Sequence, residues 1–87
     1  MSSTSNSGYR GLLVWQKAVD LSVEIYSLTR RLPRDERFGL IAQMRDAGSS
    51  IAANTAEGAA RGSAGDFVRF LRIATGSLAE LDTFMEI

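Results

Sequence analysis

Hydroxyls, carboxylates and guanidinium groups are nearly all the reactive side chains this sequence offers, because it contains neither His nor Cys. A serine nucleophile needs a base, so Ser49 and Ser50 would have to borrow the amine of Lys17 from a different segment. Carboxylate chemistry needs two acids held together. The acidic residues here are scattered and mostly offset by Arg, and no spacing forces two of them into one site. Asp35, Glu36, Asp46 and Glu57 lack the spacing of a calcium loop, and Gly58, Gly62 and Gly65 follow no strand, so they are not a phosphate-binding glycine loop. Without Cys there is no thiolate metal site or disulfide framework, and the commonest metal ligand, His, is also missing. The expectation is a protein that is not an enzyme and uses no metal or cofactor.

The guanidinium groups remain. Nine of the ten cations are Arg and only Lys17 is Lys, a bias that suits planar ion pairs and phosphate contacts alike. Arg30, Arg31, Arg34 and Arg37 gather around Pro33, diluted by Asp35 and Glu36, and form the candidate nucleic-acid-binding group. The plainer reading is a solvated corner between two helices. Ten acidic residues balance the ten basic ones, which argues against a polybasic nucleic-acid arm. Glu57 and Arg61 stand at i and i+4 in the favourable order, so a local ion pair accounts for both.

Three helical segments must position these groups. From about 12 to 32, Trp15, Val19, Ser22, Tyr26 and Thr29 form one stripe, with Val14, Ala18, Leu21, Ile25, Leu28 and Leu32 beside it. That apolar surface is wider than one neighbour can cover. Pro33 then helps to end the helix. The second helix, about 35 to 60, carries Leu40, Met44, Gly48, Ile51, Thr55 and Gly58 on its core stripe and Gln43, Ala47, Ser50, Asn54, Glu57 and Arg61 alongside. Asn54, Glu57 and Arg61 read as structural polar residues. The run from Ser50 to Gly62 has almost no bulky side chain, so it is stable only if other helices bring large residues close to it.

Gly62 breaks this helix, and Ser63 with Asp66 resembles a capping box, with Asp where Glu or Gln is usual. The third helix, about 64 to 87, lines up Phe67, Leu71, Ala74, Leu78, Leu81 and Met85, flanked by Phe70, Ile73, Ser77, Phe84 and Ile87. Arg69 and Arg72 point away from that stripe. Residues 1–11 read as a flexible polar tail without a secretory signal, and no apolar run approaches the roughly 20 residues of a membrane span. Cytoplasmic residence is the expectation. At 87 residues the core is thin, and oligomerisation would support it.

Trp15-Gln16-Lys17-Ala18, Leu28-Thr29, Phe38-Gly39-Leu40, Gln43-Met44-Arg45, Ser50-Ile51, Asn54, Ala56-Glu57-Gly58, Phe67, Phe70-Leu71 and the run from Ala74 to Leu81 occur in one order. Over roughly residues 12 to 87 this set resembles the bacterial four-helix-bundle proteins called 23S rRNA intervening-sequence proteins. Members are in turn similar to the accessory variability determinant of diversity-generating retroelements. That likeness implies a pentameric barrel that binds nucleic acid, RNA or DNA, and a reverse transcriptase. Two departures stand out: family members normally continue through a fourth helix, whereas this sequence stops at Ile87, so that helix is expected to be missing or replaced by a partner, and they usually carry Ile where Thr55 stands.

Residues and resemblance together predict an all-α, up-down bundle of the four-helix-bundle type, acting as a non-catalytic oligomeric scaffold or adaptor. Trp15, Val19, Tyr26, Phe70 and Ile73 are the candidate oligomer interface, and Arg clusters repeated by symmetry would contact nucleic acid. The alternative is a purely structural homo-oligomer or protein-partner module with no nucleic-acid role.

Overall fold

The computed structural model describes residues 8–87, with residues 34–38 in backbone only. Most of the expected polar tail therefore lies outside the described residues. Gly8–Gly11, which the sequence placed in that tail, form a short 3-10 helix. Three α-helices follow: α1 (Leu13–Thr29), α2 (Arg34–Ala60) and α3 (Ala64–Glu86). The described chain is all-helical.

Each helix ends for a local reason. α1 stops at Thr29, earlier than the apolar stripe suggested, because Pro33 disfavours helical geometry at Leu32. The last turn tightens instead, with the Arg31 and Leu32 amides donating to the carbonyls of Leu28 and Thr29. Pro33 is the extended residue before α2. α2 closes through the Gly62 amide onto the Ala59 carbonyl, and Gly62 takes φ +82°, a left-handed conformation that costs glycine little. The Ser63 side chain then caps α3 by accepting from the Asp66 amide at 3.1 Å.

α2 is the central rod. Both α1 and α3 pack on it, while among the described residues no Cα of α1 lies within 8 Å of one in α3. The small residues of α2 let this happen. A Cβ on Gly58 would fall 2.7 Å from Phe70 Cβ and 3.3 Å from the Phe67 backbone, so α3 touches the α2 backbone itself. Gly48 gives Ile25 similar access from α1, at 3.6 Å. The shared core comprises Ala18 and Ile25, Met44, Ala47 and Ile51, and Ala74 and Leu81. Burying a side chain such as Ile25 or Leu81 contributes about 1.5–3 kcal/mol.

The result is a slab. Its extents are 44 × 28 × 15 Å, with α2 lying between two helices that do not touch each other. The radius of gyration, 14.5 Å, exceeds the about 12 Å of a compact domain of this length. Each outer α-helix packs on α2 and on no other α-helix, which leaves part of its apolar surface uncovered.

Candidate functional site: apolar flanks and a cation-rich end

The flank residues stay exposed. Leu13, Val23, Leu78 and Met85 retain 67%, 62%, 48% and 53% of their surface, and Val14, Tyr26, Leu28, Val68, Ile73 and Ile87 are exposed as well. These are not isolated surface leucines. Val14, Leu21 and Leu28 recur every seven residues on α1, and Leu71, Leu78 and Met85 do so on α3. Leu21 and Leu71 are half-buried, so each row stands at the rim of the core. The last members of the two rows, Leu28 and Met85, share a groove of about 130 Å³. Leu28 and Leu32 line it from α1, Leu40 and Met44 from α2, and Phe84, Met85 and Ile87 from α3.

The five residues expected at an oligomer interface fall into different settings. Trp15 is half-buried beneath Tyr9, their rings 5.3 Å apart in an edge arrangement, with Arg10 over both. Phe70 is half-buried, with Arg61 and Arg69 at 5.0 and 5.1 Å from its ring. Val19 is half-buried, whereas Tyr26 and Ile73 are exposed. Arg45 stacks on Tyr26 at 4.5 Å and donates from Nε to Thr29 Oγ1 at 2.9 Å. The pairing of Tyr9 with Trp15 has no periodic signal, because Gly8–Gly11 lie before the first helix.

Of the four arginines around Pro33, Arg30 and Arg31 are exposed, and the side chains of Arg34 and Arg37 lie outside the described residues. A second group of cations had no such clustering in the sequence. The short connections make consecutive helices antiparallel, which brings the start of α1, the end of α2 and the start of α3 to one end of the slab. Arg10, Lys17, Arg61, Arg69 and Arg72 therefore lie toward that end. Among its acids, Glu57 accepts from Arg61 at 3.0 Å and Asp66 lies 3.9 Å from Arg69, while Asp20 on α1 is exposed at a similar level. Both pairs are widely exposed and contribute little to stability. Arg69 and Arg72 border a depression with Ala64, Gly65 and Val68.

The remaining polar cluster joins α2 to α3. Ser50 Oγ and Ser77 Oγ are 2.9 Å apart, and the Asn54 amide donates to both the Ser50 carbonyl and its hydroxyl. This network fastens one helix to another and satisfies its own partly buried groups. Ser49 donates to the carbonyls of its own helix. Among the described residues no group of three or more His, Cys, Asp or Glu could hold a metal ion, and no helix is long and apolar enough to cross a membrane.

A protein-family model described as 23S rRNA-intervening sequence protein matches residues 10–87. No curated protein matches the chain.

Proposed function

The chain belongs to the 23S rRNA-intervening sequence protein family, and on that premise we propose that it is a non-catalytic helical scaffold that works as a homo-oligomer. The bare apolar rows on two helices that pack on α2 and not on each other carry this reading. Contiguous apolar surface of this kind marks an interaction site. The groove between α1 and α3 is the place a further rod would take in a bundle of the four-helix type. The test is the mass in solution, measured from micromolar to tens of micromolar protein. Oligomers support the scaffold, and a single 9.4 kDa species throughout defeats it.

Nucleic acid as a partner is favoured by a separate observation, the gathering of Arg10, Lys17, Arg61, Arg69 and Arg72 toward one end. Symmetry would repeat that end and make a neutral chain locally basic. Labelled single-stranded RNA and DNA, titrated at 50 and 200 mM salt, provide the measurement. Each phosphate contact should add about −0.7 to the slope of log affinity against log salt. Arg69→Glu with Arg72→Glu should flatten that slope while leaving the oligomer whole. Absent binding at low salt would favour the alternative, a structural oligomer or protein-partner module.

A further inference from the structure

Arg10 differs from the other four cations at its end of the slab. Its guanidinium carbon lies over two rings at once, 5.7 Å from the centre of Tyr9 and 5.6 Å from that of Trp15, both within reach of a cation-π contact. Arg61 and Arg69 share Phe70, and each also lies beside a carboxylate. Among the described residues no ring lies under Lys17 or Arg72, and no carboxylate pairs with Arg10. The backbone beneath Arg10 is fixed as well. Its carbonyl accepts from Gln16 Nε2 at 2.8 Å, and the Tyr9 carbonyl accepts from the Leu12 amide at 3.0 Å. The short 3-10 helix that carries Tyr9 and Arg10 packs on both α1 and α2.

A long, rotamer-rich side chain that is already held loses less freedom when it meets a ligand. Arg10 is nonetheless exposed, and a guanidinium resting on a ring keeps the N–H groups of its edge for an acceptor. Such a planar pair of donors matches the two free oxygens of a phosphodiester. We infer that Tyr9, Arg10, Trp15 and Gln16 form a phosphate-contact site, in which Arg10 donates to the backbone of a nucleic-acid strand and the two rings and Gln16 are positioning residues. This inference rests on the nucleic-acid reading above, and it narrows a gathering of charge to one guanidinium held in place. A diffuse basic end answers to charge alone, so it treats Arg and Lys alike and ignores neutral neighbours. A site with fixed geometry does neither.

Three variants, titrated with labelled single-stranded RNA and DNA across a range of salt, separate the two. Arg10→Ala should lower the slope of log affinity against log salt by about 0.7, the share of one phosphate contact. Arg10→Lys keeps the charge and therefore the slope, yet should weaken binding about fivefold at every salt concentration, because an ammonium neither lies flat on the rings nor offers the paired donors. Gln16→Ala alters no charge and should likewise weaken binding with the slope unchanged. Arg10 and Gln16 are both exposed, so each variant should keep wild-type helicity by circular dichroism. A wild type that binds, with Arg10→Lys or Gln16→Ala binding equally well, overturns the site and leaves diffuse charge as the nucleic-acid contact. A wild type that binds neither strand at low salt overturns the nucleic-acid reading itself, and the site with it.

Discussion

Thr29 and Thr55 are buried to 1% and 0% exposure, and they hold their hydroxyls on different terms. Thr55 donates to the Ile51 carbonyl at 2.8 Å, within its own helix. That carbonyl already serves the helix, so the hydroxyl adds little. Thr55→Val should therefore leave stability unchanged or raise it by up to about 1 kcal/mol in urea unfolding. Thr29 also donates backwards, to the Ile25 carbonyl at 2.7 Å, but its oxygen accepts from Arg45 as well. Thr29→Val strands that guanidinium and should cost about 1–2 kcal/mol in the same assay. From sequence alone Thr55 could be placed on the core stripe by its spacing. The bond between Arg45 and Thr29 could not, since it joins residues of two helices through side-chain reach.

At the scale of the helix, α2 shows what can be read from residue size. Its run of Ala, Ser and Gly demanded close neighbours, and Gly58 is where α3 comes closest. Gly58→Ala should destabilise by about 1–3 kcal/mol despite Ala's higher helix propensity, because Phe67 and Phe70 must move. A methyl group added at Gly76 would meet nothing within 4 Å, so Gly76→Ala should stabilise by up to about 1 kcal/mol. Thermal unfolding of the pair measures the contrast. Ser63→Ala removes the α3 cap and should cost about 1 kcal/mol. That cap, the Gly62 break and the role of Pro33 were all legible from local residue types. The stripes were legible only in part: Leu78 and Met85, spaced like core residues, sit on the rim because α3 meets α2 through Phe67, Phe70, Ala74, Ser77, Leu81 and Phe84. Periodicity fixes which residues share a face. It does not say how wide a face one neighbour covers.

For the whole molecule, the decisive fact is that α1 and α3 both pack on α2 and not on each other. The doubled apolar stripes anticipated surface to spare, but the cation-rich end emerges only when three helix termini are brought together, and the arginine cluster around Pro33 drew attention to the opposite end. Self-association, as proposed, would cover the rows that α2 leaves bare, and a closed ring would place the cations of each copy around a common axis. Sedimentation equilibrium of the free protein, without nucleic acid, tests this most directly. The account predicts a mass that is a whole multiple of 9.4 kDa and persists at low micromolar concentration, five copies matching the pentamer implied by resemblance. A constant mass of 9.4 kDa across the same range would contradict it.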